Sequence, residues 1–153
     1  MLDVRQPSST AKRGEAALTT WTIGRERFNP PHPYKADLNT IDELRNWLTQ
    51  LGLEKDSSFI LTNEKTGDQL FVGMDYPFAV VSFVRGSDHV PTSASTDPNF
   101  EAASEADYHE LDIWGEPTPI PKDRCLSFET MTRVVEHIFV EGALPDWIAW
   151  RTP

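Results

Sequence analysis

The sequence contains little cysteine and no long apolar runs. Its single cysteine, Cys125, excludes a disulfide framework and a zinc site built on several thiolates. No stretch approaches the roughly 20 apolar residues that a membrane-spanning helix needs, and the polar start of the chain lacks the apolar core of a signal peptide. We therefore expect a cytoplasmic protein that makes no membrane contact.

Basic residues are also scarce. The chain has 14 Lys and Arg against 24 Asp and Glu, which gives a net charge of −10 and a pI near 4.7. Direct binding to nucleic acid depends on Lys and Arg displacing counterions from phosphates, so this composition argues against it. Opposite potentials steer association, and the expected partner is therefore a protein with a basic surface.

The remaining composition is that of a folded protein. A chain of 153 residues that is 39% hydrophobic is long enough for one continuous core. Residues 1–17 are polar and rich in small side chains, and we expect a loosely ordered N-terminal extension there. Residues 18–153 are predicted to form a single domain.

The first predicted helix spans about residues 40–51. Thr40 and Glu43 have the spacing of a capping box, in which each side chain accepts a hydrogen bond from the other residue's backbone N–H. Apolar residues recur behind them at helical spacing. Gly52 follows and is expected to end the helix in a left-handed conformation.

The second predicted helix spans about residues 127–141. Ser127 is suited to the N-cap position, and Gly142 to the C-terminal stop. The apolar stripe between them is formed by Phe128, Met131, Val134, Val135, Ile138 and Phe139.

Short apolar runs separated by turn residues predict an antiparallel sheet. Asn29–Pro33 is expected to interrupt regular structure, Gly86–Thr96 to be irregular, and Glu116–Pro121 to be an extended, polyproline-like connector. The fold class is α+β: a sheet of four to six antiparallel strands with both helices on one face. The predicted strands are Leu18–Phe28, Ser58–Thr62, Gln69–Gly73, Phe78–Val84, Tyr108–Trp114 and Leu144–Trp150.

The sequence carries no recognisable catalytic motif. No two histidines have metal-ligand spacing, and Cys125 lies in no nucleophile signature. We therefore expect a protein that is not an enzyme and that has no catalytic residue, no metal and no cofactor. The four histidines are His32, His89, His109 and His137.

One charged segment stands out. Between Arg85 and Lys122 the chain has acidic residues and no Lys or Arg. Such a segment either presents a negative field to a partner or is simply a solvated loop. The alternation in the predicted strand Tyr108–Trp114 puts Glu110 and Asp112 on the face of its two aromatic end residues.

Exposed aromatics beside carboxylates favour a protein-binding face, but the same aromatics would also suit packing under a helix. From sequence both interpretations stay open. The candidate partner-binding residues are Asp97, Glu101, Glu105, Asp107, Tyr108, Glu110, Asp112, Trp114 and Glu116.

The C-terminal third carries a family resemblance. Its distinctive residues are Leu111–Trp114, Val134–Phe139, Gly142, Pro145 and Trp147–Trp150. In these residues the chain resembles the Imm1 family of immunity proteins from bacterial polymorphic toxin systems, and the resemblance extends over roughly Thr40 to Trp150.

The resemblance implies a cytoplasmic inhibitor, expected to be a monomer, that caps the active site of a toxin. In some members of the family that toxin is a nucleic-acid deaminase. Gly142, Pro145 and Trp150 are then structural residues. Two other classes remain as alternatives: a regulatory or scaffold module without a toxin, and a small enzyme that uses His32, His89 or His109.

Overall fold

The chain folds as an α+β protein. The structure, a computed structural model, describes residues 21–28, 31–52 and 58–152. The predicted extension at 1–17 lies outside these residues. The helices are α1 (Ile41–Gly52) and α2 (Phe128–Glu141). The strands are β1 (Trp21–Phe28), β2 (Pro31–Leu38), β3 (Phe59–Asn63), β4 (Gln69–Asp75), β5 (Phe78–Val84), β6 (Pro91–Ser95), β7 (Tyr108–Ile113), β8 (Glu116–Pro121), β9 (Leu126–Ser127) and β10 (Ala149–Arg151).

Eight of the strands form one antiparallel sheet in the order β10-β6-β5-β4-β3-β1-β2, with β9 paired to one end of β5. The predicted sheet of four to six strands was therefore too small. The prediction did not include β2, β6, β8 or β9. The expected fourth strand, β7, is not in this sheet, because it pairs with β8 in a separate two-stranded ribbon.

Strand β2 shows why a proline-rich segment was misinterpreted. It begins at Pro31 and continues through Pro33, although these residues were expected to interrupt regular structure. It is the last strand of the sheet, and within the described part of the chain it pairs with β1 alone. A proline cannot donate to a ladder, but on an edge strand its missing N–H can face away from the partner.

Strand β6 was expected to be irregular because its residues are small and polar. It nevertheless lies between β5 and β10. Pairing on both sides places Ala94 and Ser95 in buried positions. Neighbouring strands, and not intrinsic propensity, decide the conformation of this segment.

The core lies between one face of the large sheet and the two helices. Trp21 of β1 stacks on Phe139 of α2 with ring centroids 6.2 Å apart. The two helices cover a single face, as predicted. Buried members of the core include Ile23, Phe59, Leu61, Leu70, Val72, Val81 and Phe83 from strands, and Leu44, Leu48, Met131, Val134, Val135 and Ile138 from helices.

Local signals set the helix ends largely as predicted. The Thr40 hydroxyl accepts from the Glu43 N–H at 3.2 Å, and a Glu43 carboxylate oxygen accepts from the Thr40 N–H at 3.1 Å. Ser127 caps α2, and Gly142 ends it with φ 70°. Gly52 differs from expectation, because it does not adopt a positive φ and instead leaves room for the Phe128 ring.

A buried ion pair anchors the C-terminal strand. The Asp123 side chain, which has no solvent exposure, accepts from Arg151 Nη1 at 2.9 Å and from the Ser95 hydroxyl at 2.5 Å. Its backbone oxygen accepts from the Thr96 N–H at 2.8 Å. These bonds connect β10, β6 and the turn that follows β8. Desolvated carboxylates tolerate loss of a cationic partner poorly.

Replacing Arg151 by Met is therefore expected to lower the free energy of unfolding by about 3 kcal/mol, because it leaves the Asp123 carboxylate buried and without its cation. Equilibrium urea unfolding measures this difference. Arg45→Met is the matched control, since Arg45 pairs with Glu136 at the surface and its loss should change little. Equal stabilities of the two variants would contradict the role of the buried pair.

Candidate protein-binding site

The β7–β8 ribbon packs on the sheet face that the helices leave uncovered. Three alternate residues of β7 face inward: Leu111 is buried, the His109 ring stacks on Phe78 at 5.0 Å, and Ile113 packs over Gly73. A Cβ atom at Gly73 would lie 2.9 Å from two carbons of Ile113. The missing side chain at this position lets the ribbon approach β4 closely.

The other face of the ribbon points to solvent. Tyr108, Glu110 and Asp112 share this face, as the alternation predicted. All three are exposed, Tyr108 by 40%. Because His109, Leu111 and Ile113 take the inward positions, the ring of Tyr108 is not packed under a helix. The outward face thus combines an aromatic ring with two carboxylates, which is the composition of a protein-contact surface.

Trp114 does not continue the strand. It forms, with Gly115, the two-residue turn between β7 and β8, and both residues have positive φ, 56° and 82°. Such a turn matches the twist of a hairpin, but a non-glycine residue in this conformation costs about 1–2 kcal/mol. The half-buried Trp114 therefore lies at the tip of the ribbon, and not on the face of Glu110.

Several of the candidate acids have structural contacts, including Asp97, whose carboxylate accepts from the Asn99 N–H at 3.0 Å. Asp107 accepts hydrogen bonds from the Ala103 and Ser104 N–H groups at 2.8 and 3.1 Å, and these bonds lower the pKa of its carboxyl. The Asp112 backbone N–H donates to a carboxylate oxygen of Asp75 at 2.8 Å, which leaves the Asp112 side chain in solvent. The hydrogen bonds of Asp107 thus hold the segment that leads into β7.

The remaining candidates surround the ribbon. Asp97, Glu101 and Glu105 are exposed on the segment between β6 and β7. Glu116 is exposed at the start of β8. It pairs with Ile113, whose side chain faces inward, so Glu116 does not lie on the same face as Glu110. The structure thus places Tyr108, Glu110 and Asp112 on one face and does not bring Trp114 or Glu116 onto it.

Strand β8 carries a feature that the sequence analysis missed. Pro117, Pro119 and Pro121 pair with Asp112, Glu110 and Tyr108 respectively. An antiparallel ladder needs N–H donors from β8, and prolines have none, so the intervening residues must supply them. The three prolines therefore direct their backbone groups to the outer edge, which presents carbonyl oxygens and no N–H donor.

Proline at every second position was the available signal for this strand, but the same residues also suit a polyproline helix. Only the pairing with β7 distinguishes a β-strand from a polyproline helix in this segment. An edge without donors cannot complete a ladder with another strand, so β8 is protected from strand addition. It can still accept hydrogen bonds from Arg or Lys side chains.

Residues with catalytic potential are dispersed. His89 is exposed in the turn before β6, whereas His109 is stacked against the sheet and His137 lies on α2. Within the described ranges, no group of three or more His, Cys, Asp or Glu residues is placed to hold a metal ion. Burial, with the nearby Asp123 charge, raises the pKa of the Cys125 thiol to about 11, so this thiol is a poor nucleophile at neutral pH.

The chain matches one known protein family. The family model described as "Immunity protein Imm1" matches residues 33–152. This match covers most of the chain, including both helices, the ribbon and all strands of the large sheet except β1 and the start of β2. The chain therefore belongs to the Imm1 family of immunity proteins. The resemblance seen in the sequence is confirmed, and the match begins seven residues earlier than Thr40.

No curated protein and no solved structure matches the chain significantly. Neither helix among the described residues is long and apolar enough to cross a membrane.

Restoring donors to the edge of β8 is expected to cause self-association. Pro117→Thr combined with Pro119→Thr would add two outward N–H groups and permit edge-to-edge pairing. Sedimentation velocity should then show a dimer whose fraction increases with concentration. Pro98→Thr, a change in a loop proline, is the control and should remain like the wild type. A double variant that sediments as the wild type at every concentration would contradict the protective role of the prolines.

Proposed function

We propose that this chain is an immunity protein that binds a cognate polymorphic toxin and neutralises it by covering the toxin's basic active-site region. Membership of the Imm1 family supports the immunity role. The outward face of the β7–β8 ribbon is the observation that supports the mode of binding. On this face Tyr108, Glu110 and Asp112 lie together on a paired strand, in a segment without Lys or Arg.

The proposed target is a toxin that acts on nucleic acid, such as a deaminase. An enzyme that handles a phosphate backbone needs a basic cleft, because phosphate binding depends on Lys and Arg. Carboxylates at alternate positions of β7 offer negative charge in a row, as a phosphate backbone does. The carbonyl edge of β8 adds acceptors for the same cationic side chains.

The role as an inhibitor is tested by co-expression. A toxin gene encoded beside this chain should arrest growth of a bacterial host when expressed alone, and growth should be restored when this chain is supplied from a second plasmid. Purified together, the two proteins should form a one-to-one complex. Continued growth arrest with both proteins present and soluble would overturn the immunity role.

The acidic ribbon is tested by charge reversal at two residues of its outward face, Glu110 and Asp112, and at Glu116 beside that face. Changing Glu110, Asp112 and Glu116 together to Lys is expected to weaken toxin binding by at least about tenfold, mainly through slower association, because like charges then face each other. The wild-type association rate should fall steeply with added salt. Stopped-flow kinetics at several salt concentrations measures both effects.

A control variant distinguishes the effect of charge on the ribbon from the effect of the protein's net charge. Asp37→Lys, Asp42→Lys and Glu129→Lys together change the total charge equally, but these exposed residues lie on β2, α1 and α2. This control should keep most of the wild-type affinity. Equal affinity of the two triple variants would show that the ribbon is not the contact face.

A further inference from the structure

An exposed tryptophan lies away from the ribbon. Trp147, in the segment between α2 and β10, is 43% exposed. The guanidinium of Arg133, on α2, lies over its ring at 4.5 Å from the centroid. A cation over an indole face is attracted by the ring quadrupole, so this contact holds the ring in place at the surface.

The ring separates two clefts. The larger, of about 570 Å³, is lined by Thr96, Pro98, Thr130 and Ile148 in addition to the Trp147–Arg133 pair. The smaller, of about 310 Å³, lies on the other side of the ring and is bordered by Val140, which is 62% exposed. An ordered aromatic ring flanked by recesses resembles the anchor of a protein interface, where Trp and Arg are enriched.

The charges around this ring are mixed, because Asp146 also lines the larger cleft, and Glu136 and Glu141 line the smaller one. Arg45 is already held by Glu136 at 3.1 Å. Arg133 is exposed, and it forms no ion pair with a carboxylate in the part of the chain that the structure describes. A guanidinium that has no ion pair and lies beside an apolar ring suits a carboxylate next to an apolar side chain.

The larger cleft borders the acidic segment that precedes the ribbon. Thr96 and Pro98, which line it, flank Asp97, the first of the candidate acidic residues. The acidic segment leads from there to the ribbon. A protein bound over that segment would therefore reach the cleft at its edge.

We propose that the Trp147–Arg133 pair is a second contact for the same toxin, an inference that rests on the proposed function. An apolar side chain of the toxin enters the larger cleft and packs on Trp147, and a neighbouring carboxylate pairs with Arg133. The two surfaces have different tasks. The acidic ribbon accelerates association, whereas the desolvated anchor slows dissociation.

Two substitutions test this contact on the purified complex. Trp147→Ala should raise the dissociation rate by at least about 30-fold, and Arg133→Gln by about tenfold, with association rates changed less than about threefold. Surface plasmon resonance with immobilised toxin measures both rates. Unlike the effect of charge reversal on the ribbon, the effect of Trp147→Ala should persist at high salt.

Matched controls are available elsewhere on the surface. Arg85 also lies over an aromatic ring, that of Phe83 at 5.3 Å, and Val90 is another exposed apolar residue, at 53%. Arg85→Gln and Val90→Ala should dissociate like the wild type. Circular dichroism of each variant checks that it is folded.

A second measurement uses the unmodified chain. Hydroxyl-radical footprinting should show that oxidation of Trp147 falls when the toxin is bound. Undiminished oxidation, or wild-type dissociation rates for both variants at Trp147 and Arg133, would overturn the second contact while leaving the proposed function intact. Absence of any toxin binding by the wild-type chain would overturn both.

Discussion

The central strands of the large sheet have to be covered on both faces, and the rest of the structure depends on this constraint. Val72 and Val81 are buried under the helices. On the opposite face, Gly73 and Phe78 receive Ile113 and His109 of the ribbon. Because burial of apolar area is the main favourable contribution to folding, the ribbon is held firmly against the sheet. Its inward side chains are thereby fixed, and the alternate ones must face solvent.

This packing supports the function proposed for this member of the Imm1 family. A negative surface on a mobile loop would lose conformational freedom on binding, and that loss would reduce affinity. On the ribbon the acids of β7 are already ordered, and the proline-bearing edge of β8 cannot recruit a foreign strand. Trp147 and Arg133, beyond the other end of the acidic segment, have the complementary property of an apolar anchor. We therefore propose that the acidic ribbon accelerates association with the toxin and that the Trp147–Arg133 pair slows dissociation.

Local sequence patterns predicted a large part of the fold. The capping residues Thr40 and Ser127, and the stop at Gly142, are short-range signals, and the structure agrees with each of them. The alternation in β7 was equally local and correctly placed Glu110 on one face with Tyr108 and Asp112, but it did not decide whether that face is exposed. The strands that were missed share the opposite property, because β2, β6 and β8 are rich in proline or small residues and become strands through their neighbours.

The sequence by itself determined the two helices, the acidic segment and the family, because periodicity, capping and charge are properties of neighbouring residues. Only the tertiary structure decided which surface those acids form. It placed Trp114 in a turn, separated Glu116 from Glu110, and brought Arg133 onto Trp147 from a different element. These relations depend on strand pairing and on contacts between residues far apart in the chain, which no local pattern encodes.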